Sequence, residues 1–184
     1  MTKLLWQSYE NRLNLLKRLV NHPTVTNSEG ELTFPNFVKQ LLLQLTYFQE
    51  HKKHIQLTQT EDDKEAVVAF YQANTSAKTI VLISHYDTVG VEDYGDFHCN
   101  AFNPDELKSL FSQNHHYLNA EAIEDLNNDT YLFGRGTMDM KAGLMLHLSL
   151  IELASVEAWD INLILVTVPD EEVNSSGMRK AVEA

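Results

Sequence analysis

Lys78-Thr79-Ile80-Val81-Leu82-Ile83-Ser84 (KTIVLIS) is a short β-branched run that breaks off into His85-Tyr86-Asp87-Thr88. A run of this length without polar alternation reads as a strand covered on both faces, expected at the centre of a sheet. A second run, Ile161–Val168 (INLILVTV), has the same character and breaks off into Pro169-Asp170-Glu171-Glu172. Between them, Lys141–Val156 sets Leu144, Leu148, Ile151 and Leu153 at helical spacing. Strand, helix, strand is the pattern of an α/β domain: a mixed, largely parallel sheet flanked by helices.

Moving toward the N-terminus, His54–Thr58 and Ala66–Tyr71 read as two short strands. Residues 3–20 place Leu4, Leu5, Tyr9, Leu13, Leu16 and Leu19 on one helical stripe. Pro23 then disfavours helix in the residue before it. A second helix is expected to start near Glu31–Pro35 and to run through Phe37, Leu41, Leu42 and Leu45. The stretch 91–130 reads as an irregular polar insertion with turn chemistry at Tyr94-Gly95-Asp96, Asn103-Pro104-Asp105 and Asn127-Asn128-Asp129. Short helices are expected over Asp105–Phe111 and Ala120–Leu126, and a short strand over Tyr131–Phe133. Met178 is expected to open a last helix.

Composition narrows the function. The 184 residues carry a formal net charge of -12, which argues against a surface built for nucleic acid or anionic lipid. Cys99 is the single cysteine, so no intramolecular disulfide forms, consistent with a reducing compartment. The N-terminal residues lack the unbroken apolar stretch of a signal peptide, and no run approaches a membrane span. The expected location is the cytoplasm.

Three segments hold acids, bases or ligands just after a strand or beside a glycine turn, where the ligand crevice of an open α/β sheet lies. In Ser84-His85-Tyr86-Asp87-Thr88, His85 and Asp87 project to the same side while the chain stays extended. An imidazole that binds a cation through one nitrogen and donates from the other to an acceptor is a recurrent metal-ligand arrangement. Alone, His-x-Asp is a weak signal and reads more readily as a strand-end histidine beside a turn aspartate. In Gly134-Arg135-Gly136-Thr137-Met138-Asp139-Met140-Lys141-Ala142-Gly143, Asp139 is either a carboxylate at the start of the following helix or one that shares its oxygens between two cations. No Gly-Lys-Ser/Thr ending follows, so this is no phosphate loop. Asp170-Glu171-Glu172 packs three carboxylates at a strand end, an arrangement a cation would relieve, although acid runs in loops are usually just solvated.

Together, His85-x-Asp87, Gly134-Arg135-Gly136-x-x-Asp139-Met140-Lys141 and Asp170-Glu171-Glu172 resemble, in order and approximate spacing, the M20 metallopeptidases and deacylases. That group includes carboxypeptidase G, aminoacylase and acetylornithine deacetylase. The resemblance implies a zinc-exopeptidase-like catalytic domain with two ions, zinc before cobalt or manganese. By that resemblance His85 is a terminal ligand, Asp139 the bridging ligand and Glu172 a ligand of the other ion. Glu171 is the general base for the activated water, and Asp87 orients His85. It also implies a cis peptide at Asp139–Met140. The implied substrates are small peptides or N-acyl amino acids, hydrolysed at an amide bond. The long insertion, with Val91-Glu92-Asp93-Tyr94-Gly95 and Ala101-Phe102-Asn103-Pro104, resembles the bacterial arginine-utilisation subgroup.

Family members are longer than this chain. Residues 1–184 are therefore expected to be the N-terminal portion of the catalytic domain. A further carboxylate ligand, a distant histidine ligand and a lid or dimerisation domain would lie outside it, with a homodimer in the full-length protein. His85, Asp139 and Glu172 alone are expected to hold metal weakly and to give no turnover. His22, His51, His54, His98, His115, His116 and His147 are read as structural or solvated. The competing class is a binding module that keeps the fold without metals. A serine or cysteine hydrolase ranks last: Ser84, Ser175 and Ser176 lack a nucleophile elbow, and Cys99 is expected to have no organised base.

Overall fold

The computed structural model describes residues 4–60, 63–128 and 130–183, so Asp129 of the expected turn and Lys3 at the start of the first expected helix lie outside the described residues. The chain runs through α1 (Tyr9–Val20), α2 (Glu29–Leu42), α3 (Thr46–Glu50), β1 (Ile55–Gln59), β2 (Glu65–Tyr71) and β3 (Thr79–His85). The insertion carries α4 (Pro104–Gln113) and α5 (Ala120–Leu126), and α6 (Gly143–Glu157), β4 (Asn162–Val168) and α7 (Ser176–Ala181) follow. The four strands form one mixed sheet in the order β1-β2-β4-β3. The pairs β1·β2 and β2·β4 are antiparallel and β3·β4 is parallel. The mixed α/β class read from the sequence stands, but parallel pairing is one part of three rather than most of the sheet.

The expected place of KTIVLIS needs correcting. β3 is at an end of the described sheet, and Ile80, Val81 and Ile83 are 47%, 49% and 54% exposed. An apolar run reports that cover is wanted on both faces; it does not report which covering element is at hand. The second run, β4, is central and buried as expected. No strand forms over Tyr131–Phe133. The second helix starts at Glu29, two residues before the expected region, because Ser28 caps it by accepting the N–H of Glu31.

Alternation along β2 and β4 sorts the packing. Val67, Ala69, Tyr71, Leu163 and Leu165 face a core completed by Leu15, Leu19, Phe34, Val38, Leu144, Leu148 and Ile151 from α1, α2 and α6. Ala66, Val166 and Val168 face the opposite side, where Ala181 and Met178 of α7 cover them. Tyr86 is fully buried, stacks on Phe34 at 5.0 Å and donates its hydroxyl to the Glu65 carbonyl at 2.9 Å. The segment before α1 is strapped to α6 by the buried Glu152 carboxylate, which accepts the N–H groups of Leu5 and Trp6. The described residues of stretch 91–130 are more ordered than their polar sequence suggests. Leu107, Phe111 and Leu126 form a small core of their own with Phe97 and Phe133 packed against it. No helix among the described residues is long and apolar enough to cross a membrane.

Candidate metal centre

Parallel pairing of β3 with β4 sets the register that builds the site. His85 lies beside Val168, and the N–H of Tyr86 donates to the Val168 carbonyl at 3.0 Å. The two strands therefore leave the sheet side by side, and His85 emerges within two residues of the Asp170-Glu171-Glu172 turn. The third segment arrives from the start of α6. Gly136 has φ +73°, and a Cβ there would come within 2.7 Å of the Thr88 side chain. Only glycine fits this close approach in the left-handed region. The turn is anchored on the insertion, where Arg135 pairs with both carboxylate oxygens of Asp93 and lies over the Tyr94 ring.

The structure brings His85, Asp139 and Glu172 together: one ligand atom from each lies within 4.8 Å of the others. His85 Nε2 is 2.9 Å from Asp139 Oδ1 and 3.8 Å from Glu171 Oε2. Its Nδ1 is 3.1 Å from the Asp87 carbonyl and 3.5 Å from the Asp87 carboxylate. Asp139 is not a helix-start carboxylate, because α6 begins at Gly143 and Asp139 has an extended backbone at φ -111°, ψ 101°. The Asp139–Met140 peptide is cis. A cleft of about 310 Å³ opens beside these residues, lined among others by Val89, Arg135, Met138, Asp139 and Glu172.

Asp87 does more than its sequence position suggested. It is fully buried, and its carboxylate accepts the N–H groups of Glu171 at 3.0 Å and Glu172 at 3.1 Å, plus the Thr26 hydroxyl at 3.1 Å. Burial alone would raise its pKa, but the His85 hydrogen bond and these two N–H groups outweigh it and hold the carboxyl below its usual value. Burial likewise opposes charge on His85. The Asp87 and Asp139 hydrogen bonds and nearby Glu171 reverse that and lift the imidazole to about 9. Burial, with the neighbouring carboxylates Asp139, Asp87 and Glu171 working against His85, raises Glu172. The centre is thus a crowded set of acids around one imidazole.

Three residues beneath the site escaped the sequence reading. Glu31 and Lys64 are buried with Asp170 in one ion cluster, and Lys141 is buried with its Nζ donating to the His22 carbonyl at 2.8 Å. The pattern Ser28-x-x-Glu31 is a capping-box signal that marks Glu31. Lys64 sits in a charged run that resembles any solvated turn. His98 is exposed, as expected of a solvated histidine, and its Nε2 lies 3.3 Å from the exposed Cys99 thiol.

A mixed sheet that gathers an imidazole and several carboxylates at the shared end of two parallel strands defines a class of α/β domain with a candidate metal centre. The chain belongs to peptidase family M20/M25/M40, whose model matches residues 81–184. It is 41% identical over 179 residues to the protein YqjN of Bacillus subtilis, covering 97% of this chain and 33% of that one. It is 29% identical over 174 residues to the protein RocB of the same organism, covering 91% of this chain and 30% of that one. The chain thus spans about a third of the length of these curated relatives. Its fold matches an M20 family metallo-carboxypeptidase from Sulfolobus solfataricus with a TM-score of 0.69 at 19% identity, over 94% of this chain and 33% of that one.

Proposed function

We propose that this chain carries part of the active site of a metal-dependent hydrolase that cleaves amide bonds in small peptides or N-acyl amino acids. One observation carries the reading: His85, Asp139 and Glu172 converge from three separate segments to within 4.8 Å. Family membership and the Sulfolobus metallo-carboxypeptidase's fold support it. The donor set fits the group it would hold. One imidazole nitrogen with two carboxylates suits zinc, and cobalt or manganese could substitute. When bound, two such cations would polarise the scissile carbonyl and acidify a water.

In this reading His85 offers Nε2 as a terminal ligand, while Nδ1 is held by the Asp87 carbonyl in the manner of a ligand histidine oriented from behind. Asp139, its side chain 76% exposed and its Oδ1 2.9 Å from His85 Nε2, would hold metal as the carboxylate common to both ions. Glu172 serves the second ion. Glu171, half-exposed and 3.8 Å from His85, would accept a proton from the attacking water at its carboxylate and pass it to the leaving amine. Asp87 positions His85 and the acidic turn. The likeness to RocB supports a place in the arginine-utilisation subgroup, and residues 1–184 act as the N-terminal portion of the catalytic domain.

The test is calorimetric zinc titration of wild type, His85→Ala and Asp139→Asn. Three side chains are expected to hold zinc weakly, with binding lowered by about tenfold or more in either variant. Equal binding by all three proteins would refute the assignment, and complete absence of zinc binding would favour a metal-free binding module.

A further inference from the structure

The acidic turn is gripped from below by buried charges that are not candidate ligands. Lys64, the residue before β2, is 2% exposed, and its Nζ lies 3.1 Å from Asp170 Oδ1 and 3.3 Å from Glu31 Oε2. Glu31, fully buried in the first turn of α2, also accepts the N–H of Asn27 at 2.6 Å through Oε2 and the N–H of Asp170 at 3.0 Å through Oε1. Asp170 has φ +66°, a left-handed conformation that a non-glycine residue adopts only where its surroundings hold it. Its carboxylate accepts the Ser176 hydroxyl at 2.8 Å, and its carbonyl accepts the N–H groups of Asn174 and Ser175 at 3.2 and 2.7 Å. The N–H groups of residues 170, 171 and 172 therefore all end on two buried carboxylates, Glu31 and Asp87.

A buried triad of two carboxylates and one ammonium is a poor source of stability, because desolvation offsets much of the Coulomb attraction. What it supplies is geometry. Lys64 joins the start of β2, the first turn of α2 and the residue that redirects the chain after β4. We propose that Lys64, through Glu31 and Asp170, is a positioning residue that fixes the turn presenting Glu171 and Glu172 to the metal centre. The inference rests on the metal-hydrolase reading for its purpose, but the clamp itself is a property of the turn.

Lys64→Met alone leaves two buried carboxylates face to face, a change that can unfold the chain. The informative variant is Lys64→Met/Glu31→Gln, which removes one charge of each sign, with Lys64→Arg as the conservative control. Two readouts are taken on each: amide hydrogen exchange at residues 170–172 against Leu165 and Val166 of β4, and a cobalt(II) absorption titration. The expected result for the double variant is unchanged protection in β4 with exchange in the turn accelerated by about tenfold or more. Cobalt affinity should fall by about tenfold, and Lys64→Arg should return both readouts toward wild type. Wild-type exchange in the double variant's turn overturns the proposal, as does a loss of protection shared equally by β4, which would make the triad a general stabiliser. A wild-type chain without a cobalt signal removes the metal reading instead, and the exchange data then decide the clamp by themselves.

Discussion

Replacing Asp87 with asparagine tests whether the acidic turn hangs on a single buried carboxylate. The side chain keeps its shape, so packing is not the variable. Besides the His85 ring 3.5 Å away, two oxygens at present receive the Glu171 N–H on Oδ1, and the Glu172 N–H and the Thr26 hydroxyl on Oδ2. An amide has one oxygen. If it takes the Oδ2 place, its NH₂ group faces the Glu171 N–H, donor against donor, in a fully buried position. The loss is one charge-assisted hydrogen bond at about 1.5–3 kcal/mol, plus weakening of the others as the charge disappears, so about 3 kcal/mol in all. For a chain of 184 residues that is a fall in Tm of about 6–12 °C. Thr26→Val removes one hydroxyl donor that the carboxylate shares with the Thr88 carbonyl, and should cost about 1 kcal/mol. Urea unfolding at neutral pH measures both. The reasoning is refuted if Asp87→Asn stays within about 0.5 kcal/mol of wild type, or if Thr26→Val is equally damaging.

Lys141 is fully buried, and burial lowers its pKa to about 7. The unfolded chain then binds more protons than the folded one between about pH 7 and the ordinary lysine value, so stability rises with pH across that window. Between pH 6.5 and 9.5 the gain is about 3 kcal/mol, and urea unfolding of Lys141→Met against wild type should show that slope flattened. At the sheet edge, Val81→Lys/Ile83→Lys should reduce concentration-dependent self-association in sedimentation velocity, because it places charge on a strand whose apolar side chains are exposed. Identical sedimentation of variant and wild type would contradict that.

The sequence by itself determined most of the segments that become strands and helices, because apolar periodicity is a local property, while the strand expected over Tyr131–Phe133 does not form and α3 carried no such pattern. β4, α5 and α6 fall within two residues of where their patterns place them. It also marked the candidate ligands, through the resemblance of its three motifs to the M20 pattern: His85, Asp139 and Glu172 are brought by the structure to within 4.8 Å of one another. Tertiary structure decided what depends on neighbours. The apolar run 79–85 asks for cover on two faces, yet its position at an end of the described sheet follows from which strands pair with which. Asp87 reads as a partner for His85, but its main load is the pair of N–H groups 84 and 85 residues further along the chain. Lys64 shows the limit most plainly. In sequence it is one lysine in a charged run, and only the arrival of α2 and the β4 exit on either side turns it into a buried ion clamp. Burial and long-range pairing are properties of the assembled chain, so no local pattern can report them.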